Sequence, residues 1–305
     1  MAGYVGTVVT DRRVLLGSDI QEQVNLAVLP RNVRIDGQLV ANDERLNVVR
    51  SMAHNAIGRG RPPEVLPPDR EQFLGTYQAL AERHPHLVSI HYLAAFDGAA
   101  REARVCRQLM QPDQQIEVYE AKTLEGGLDF LLKSTLSMLV EGATTTQVLA
   151  LLRYLETHML TFLLTPGAVR AQPWTAVRIH QRVRSIVPAT ETLWHFDPQL
   201  RRLVPVRQSQ QLHARLGPLL QAGWNMTRYA MAVRYRGYSQ HQIAELSGSL
   251  QRAGLTEAPH LEPIAATFLP CMPPRFIELL LLPTEADMLR LQGLIQNPIW
   301  WKGAA

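Results

Sequence analysis

The chain has 305 residues, 46% hydrophobic and 19% charged, and its 31 basic against 27 acidic residues leave a formal charge of +4. This composition excludes a disordered, collagenous or coiled-coil chain, and at about 100–200 residues per domain the length suggests two domains or one large one. All the basic residues but Lys122, Lys133 and Lys302 are arginines, and they form no cluster beside a recognised binding motif, so no nucleic-acid partner is expected.

In chain order, Tyr4–Val9 reads as a buried strand ending at Thr10-Asp11. Ser18-Asp19 then offers an N-cap to a short helix before the apolar run Val24–Leu29. Asp36-Gly37, between Arg34-Ile35 and Gln38-Leu39-Val40, is a strong hairpin signal. Asp43–Asn55 is helical in pattern, and residues 58–68 form a loop rich in Gly, Arg and Pro. The spacing predicts a helix over Asp69–Arg83 with Phe73, Tyr77 and Leu80 on one face, then a strand over Leu87–His91. Asp97 is expected to cap a helix running to about Leu109, followed by a strand at Ile116–Tyr119 and an apolar helix over Gly127–Val140. Thr144 and Gln147 match a capping box, and behind them Val148, Leu151, Leu152 and Leu155 form a core-facing stripe. Such alternation specifies an α/β fold, a mainly parallel sheet with helices on both faces.

The second half reads as an α+β unit. Leu160–Leu164 is a strand, Trp174–Arg184 a basic amphipathic helix, and Thr190–Phe196 with Arg201–Val206 a hairpin around Asp197-Pro198. Gln208–Ala222 and Ser239–Ala253 read as helices. Thr227–Tyr235, Ile264–Leu269 and Phe276–Leu282 read as strands. The expected division is residues 1–160, residues 161–283, and a helix with an apolar tail over 284–305. Cys106 and Cys271 are too few for a disulfide framework, and the apolar run at the N-terminus stops at Asp11 with no basic segment before it. A cytoplasmic protein without a membrane span is therefore expected.

No dinucleotide fingerprint, phosphate loop or nucleophile elbow is present, so no motif states a reaction, and neither an enzyme nor a bound metal or cofactor is expected. Asp11 at a strand end could hold a metal or act as a base, but hydrogen bonding to the following turn is the commoner use of such an aspartate. His84-Pro85-His86 reads as a surface turn. His91 closes a strand where sites sit in open α/β sheets, although a structural histidine fits there equally well. Cys271, in a proline-flanked loop, has no base beside it in sequence and reads as a structural thiol.

The order and spacing of several phrases resembles the DegV family of bacterial two-domain proteins, over about Tyr4 to Leu282. The phrases are Val9-Thr10-Asp11, Arg34-Ile35-Asp36-Gly37-Gln38, the Pro67 loop leading to Gln72-Phe73, and Val88-Ser89-Ile90-His91 with Gly98 seven residues on. Val118-Tyr119-Glu120-Ala121, Arg184-Ser185-Ile186-Val187-Pro188 and Leu203-Val204-Pro205-Val206 complete the series. The resemblance implies a fatty acid held between the domains, its carboxylate facing positions that correspond here to Asp11, Arg12, Glu64, Asp97, Gly98, Cys271 and Arg275. It also implies a fatty acid kinase as partner.

This chain departs from the family at those positions. Glu64 stands near the family's threonine, Asp97 at its serine, and Cys271-Met272-Pro273-Pro274-Arg275 at its His-Thr-Gly-Pro-Gly; Ala171-Gln172-Pro173 stands for Gly-Gly-Arg-Ile. Ionised carboxylates accept hydrogen bonds only and repel an anionic ligand, so an arginine is needed to offset them; Arg12, Arg61, Arg101 and Arg275 lie in or beside the matching loops. Two other readings stand beside lipid binding: an enzyme using Asp97, Glu64 and Asp11 as acid–base or metal groups, and a degenerate family member acting as an interaction module.

Overall fold

The computed structural model describes residues 7–11, 25–41, 52, 64–84, 86–93, 98–166, 190–255, 258–263 and 275–283. The helices expected at Ser18-Asp19 and Trp174–Arg184, the strand at Ile264–Leu269 and the tail from residue 284 lie outside these residues, as does all of the helix expected over Asp43–Asn55 except Met52.

The first sheet is parallel, with strands β1 (Thr7–Thr10), β2 (Leu26–Val28), β6 (His86–Tyr92) and β7 (Gln115–Ala121) in the order β2-β1-β6-β7. Its helices cover both faces. Helices α1 (Arg70–Ala81) and α2 (Ala99–Leu109) pack Phe73, Tyr77, Ala99, Ala103 and Cys106 against Val9 and Leu87. On the other face, α3 (Glu125–Val140) and α4 (Thr145–His158) pack against Val8, Val88 and Ile90. The stripe Val148, Leu151, Leu152, Leu155 is buried as its spacing predicts, and Thr144 caps α4 in a complete capping box with Gln147. Helix α2, by contrast, takes Gly98 as its N-cap, with φ +82° and no side-chain cap bond; Asp97 lies outside the described residues. A left-handed cap position favours glycine, because a Cβ there clashes with the backbone.

A small antiparallel sheet, ordered β4-β3-β5 from β3 (Asn32–Ile35), β4 (Gln38–Ala41) and β5 (Glu64–Leu66), includes the expected hairpin; Asp36 (φ +49°) and Gly37 (φ +83°) make its turn.

The second large sheet has six strands in the order β10-β9-β8-β13-β11-β12: β8 (Leu160–Pro166), β9 (Thr190–Asp197), β10 (Arg202–Gln210), β11 (Tyr229–Arg236), β12 (His260–Pro263) and β13 (Phe276–Pro283). All pairs are antiparallel except β11–β12. The helix expected over Gln208–Ala222 is shorter: β10 runs to Gln210, Gln211 turns the chain at φ +49°, and a 3₁₀ turn over Leu212–Arg215 leads into α5 (Leu216–Gly223). Pairing across β9 carries the edge strand further than its own periodicity suggests. Helix α6 (Gln240–Gln251) opens with a capping box between Ser239 and Gln242.

Alternation divides the residues of β13 between its two faces. Ile277, Leu279 and Leu281 pack with α5 and α6, whereas Leu280 and Leu282 join the cluster built by α3, α4 and the first sheet. One apolar cluster therefore spans both large sheets. Every residue of β13 is buried, which accounts for its nearly unbroken apolar run.

Candidate functional site

In the first sheet the chain passes from β1 to β2 on one side and from β6 to β7 on the other, so the strand order reverses between β1 and β6. Crevices at the carboxyl ends of such strands are where open α/β sheets bind ligands. Thr10 pairs with Ile90, which places Asp11 level with His91 at that edge.

These two residues belong to a buried polar chain under α1. Asp11 Oδ1 lies 2.8 Å from His91 Nδ1, His91 Nε2 lies 2.6 Å from Ser89 Oγ, and the Tyr77 hydroxyl donates to Ser89 Oγ at 2.7 Å. Arg31 closes the chain: its Nε donates to Asp11 Oδ2 at 2.6 Å and its Nη2 donates to the same oxygen. Ser89 and His91, two apart on β6, share one face, and the edge of Phe73 packs on the imidazole. Burial alone would raise the Asp11 pKa, but the Arg31 guanidinium and the His91 hydrogen bond reverse this and hold its carboxyl well below the usual carboxylate range. An ionised Asp11 accepts only, so the proton between the two residues sits on His91 Nδ1. Burial pushes the Tyr77 phenol well above its ordinary value, so it stays a donor.

Serine, histidine and aspartate here stand in the order of a hydrolase triad. However, Ser89 and His91 are fully buried and Tyr77 already donates to Ser89 Oγ, so no substrate carbonyl can reach that oxygen. The chain is a scaffold at the strand ends.

Two residues beyond His91, Leu93 enters an apolar cluster with Leu124 before α3, Leu163 of β8, Trp194 and Phe196 of β9, and Phe276 of β13. A second set of charges marks the seam between the sheets. Glu278 of β13 accepts from the Gly126 N–H at 2.8 Å at the start of α3, and pairs across strands with Arg234. Arg234 also lies 3.5 Å from Asp129 and 3.6 Å from Glu262. Burial would lower its pKa, but Glu278, Asp129 and Glu262 raise it above the ordinary guanidinium value.

The residues that the resemblance groups at one site have different partners in the structure. Glu64 lies on the small sheet, exposed, with Arg34 donating to it at 2.5 Å, whereas Asp11 is committed to His91 and Arg31. Arg275 lies 4.1 Å from the Tyr238 ring centre and 3.5 Å from Glu191. Glu191 also holds the ring and backbone N–H of the buried His213, on the side of the second sheet covered by α6. Gly98 stands at the start of α2. Arg12, Arg61, Asp97 and Cys271 lie outside the described residues. Among the described residues no three His, Cys, Asp or Glu side chains are disposed to hold a metal ion, and no helix is long and apolar enough to cross a membrane. A surface cavity of about 340 Å³, lined by residues 221–227, Ala253 and Gly254, sits at the end of α5 and holds no charged side chain.

Sequence reasoning marked Asp11 and His91 but missed Arg31, Ser89, Tyr77 and Arg234. A signal existed for Ser89: a polar pair at i and i+2 in an otherwise apolar buried strand must find partners on one face. Arg31 and Arg234 carry no such signal, because their partners are 20 or more residues away.

The fold thus defines an α/β protein with a helix-covered parallel sheet, whose strand order reverses between β1 and β6, and a second, mostly antiparallel sheet. Residues 7–166 match the family model described as "Uncharacterised protein, DegV family", and the chain belongs to that family. A DegV domain-containing protein of Staphylococcus aureus is 21% identical over 155 residues, 51% of this chain and 54% of that protein. Another from Lactococcus lactis is 22% identical over 51% of this chain and 55% of that protein. The matched region therefore spans about half the length of these curated relatives. Among solved structures, a fatty-acid-binding DegV family protein from Thermus thermophilus superposes with a TM-score of 0.69 at 17% identity, covering 92% of this chain and 99% of that one. A fatty acid binding DegV family protein from Streptococcus agalactiae gives 0.70 at 15% identity, covering 92% and 99%. At these identities the likeness is one of fold.

Proposed function

We propose that this protein binds a fatty acid or related acyl lipid in the crevice between its two large sheets, at the carboxyl ends of β1 and β6. One observation carries the reading: Leu93, two residues after the charge-paired His91 at the switch point, packs in one apolar cluster with Leu163, Trp194, Phe196 and Phe276 of the second large sheet. Apolar burial at roughly 0.8 kcal/mol per CH₂ would supply most of the affinity, and the charged group would orient the head. The solved relatives support the class of ligand, since proteins of this fold carry vaccenic or heptadecanoic acid.

In this reading the chain divides near residue 160, after the last strand of the first sheet and at the first of the second. A cytoplasmic location accords with its two cysteines, of which Cys106 is a free, buried thiol. We do not extend the proposal to a kinase partner, because Glu64 and Asp97 replace the hydroxyls of the family's head-group site. Mass spectrometry of an organic extract of the purified protein tests the reading. A co-purified acyl species, or saturable binding of palmitic acid after delipidation, is expected; neither being found would refute it.

A further inference from the structure

We infer that the contact between His213 and Glu245 holds a proton, and that this proton ties helix α6 to the second large sheet. The helix is gripped as pH falls through the histidine range and released as pH rises. His213 sits in the 3₁₀ turn between β10 and α5, with 4% of its side chain accessible. Both of its ring nitrogens face a carboxylate: Nδ1 lies 2.7 Å from Glu191 Oε2 of β9, and Nε2 lies 3.3 Å from Glu245 Oε2 of α6. A neutral imidazole has one N–H and one lone pair. With Nδ1–H turned to Glu191, the Nε2 lone pair points at a carboxylate oxygen, which when ionised also only accepts. One further proton between Nε2 and Oε2 turns that repulsion into a charge-assisted hydrogen bond.

The groups packed around the ring leave this proton as the missing one. Glu191 already receives donors on both oxygens: Oε2 accepts from the His213 backbone N–H at 2.9 Å, and Oε1 accepts from the Tyr238 hydroxyl at 3.2 Å and from Arg275 Nη2 at 3.5 Å. Burial, with Glu191 beside it, pushes the Tyr238 phenol well above its ordinary value, so it stays a donor. Arg275, ahead of β13, offsets one of the two carboxylates, and α5 brings no titratable side chain. A proton on His213 offsets the second. His241, one turn before Glu245 on α6, lies 3.6 Å from the other oxygen, Oε1, but 84% of its side chain is accessible and its charge is screened by water. Glu191, His213 and Glu245 belong to three elements, so the proton completes a link from β9 through the 3₁₀ turn to α6. A proton bound in the folded state and given up on opening favours the closed helix at low pH and ceases to do so as pH rises.

Hydrogen exchange of the full chain, read by mass spectrometry at about pH 6 and about pH 8.5 with labelling times scaled to the intrinsic exchange rate, tests this link. In the wild type, peptides from α6 should be about tenfold less protected at the higher pH, the worth of one charge-assisted hydrogen bond. Glu245→Gln sets an amide N–H opposite Nε2, a hydrogen bond that needs no added proton, and should protect α6 equally at both pH values. His241→Gln should keep the wild-type difference. Equal protection at the two pH values in the wild type overturns the inference, as does a difference that survives in Glu245→Gln. A difference lost in His241→Gln assigns the proton to that histidine and overturns it as well. Nitrogen-15 NMR of the His213 ring gives a second readout that needs no variant: both ring nitrogens should carry protons at the lower pH, and a bare nitrogen there overturns the link.

Discussion

At the residue scale, the polar chain under α1 is a set of mutually dependent hydrogen bonds in a fully buried setting. Removing Tyr77's hydroxyl deletes one donor and leaves Ser89 an acceptor without it, so Tyr77→Phe should cost about 1 kcal/mol in urea unfolding. Ser89→Ala strands both the Tyr77 hydroxyl and His91 Nε2, and should cost more, about 2–3 kcal/mol. Asp11 carries a pH signature. Its folded pKa lies below its unfolded value of about 4, so its stabilisation is complete above that pH and is lost as pH falls toward the folded value. Asp11→Asn should therefore be destabilised at neutral pH, by about 3 kcal/mol or more, and show a flatter stability profile below pH 4 than the wild type. A parallel acid profile in the variant would show that Asp11 is not the group lost there.

At the element scale, three helices open with the same reciprocal device, Asp69 with Gln72, Thr144 with Gln147 and Ser239 with Gln242, and each is visible in sequence as a capping residue three places before a glutamine. Glycines show where legibility ends. Gly75 lies in the middle of α1, and a Cβ added to it would meet nothing within 4 Å, so Gly75→Ala should stabilise by about 0.5–1 kcal/mol. Gly217 looks equally ordinary in α5, but a Cβ there would come within 1.7 Å of the Ser249 carbonyl oxygen of α6, and its N–H donates to Ser249 Oγ at 2.9 Å. Gly217→Ala must push the two helices apart and should cost about 1–3 kcal/mol or more. Paired thermal melts of the two variants, with opposite signs of shift, check both statements.

At the scale of the whole molecule, Glu278 is the residue that breaks the apolar run of β13, and tertiary structure explains it. Its carboxylate receives the Gly126 N–H at the positive end of α3 and lies beside Arg234, so it joins the helix layer of the first sheet to the second sheet. A Cβ on Gly126 would stand 3.1 Å from both Arg234 and Glu278, closer than ordinary van der Waals contact, so the glycine gives the two side chains room. Glu278→Leu suits the apolar strand locally yet leaves Arg234 and the start of α3 with less compensation; it should destabilise by about 3–5 kcal/mol. Glu278→Gln, which keeps the acceptor, should cost less. Chemical denaturation of both variants ranks them, and a Glu278→Leu protein as stable as wild type would show that the seam contributes nothing.

The sequence by itself determined the parallel α/β half, most of its helix boundaries, the Asp36-Gly37 and Asp197-Pro198 hairpins and the strand at Phe276–Leu282, because periodicity, turn chemistry and capping act over a few residues. It also carried the family, through the order of phrases that are individually weak, and it marked Asp11 and His91 as residues at strand ends. Only the tertiary structure decided which side chains meet. Arg31 reaches Asp11 across 20 residues and Gly126 reaches Glu278 across 152. Glu64 and Arg275, which the family resemblance groups at one site, pair with Arg34 on the small sheet and with Glu191 on the second large one. Charge partners are set by strand order and face, and neither is encoded in local spacing.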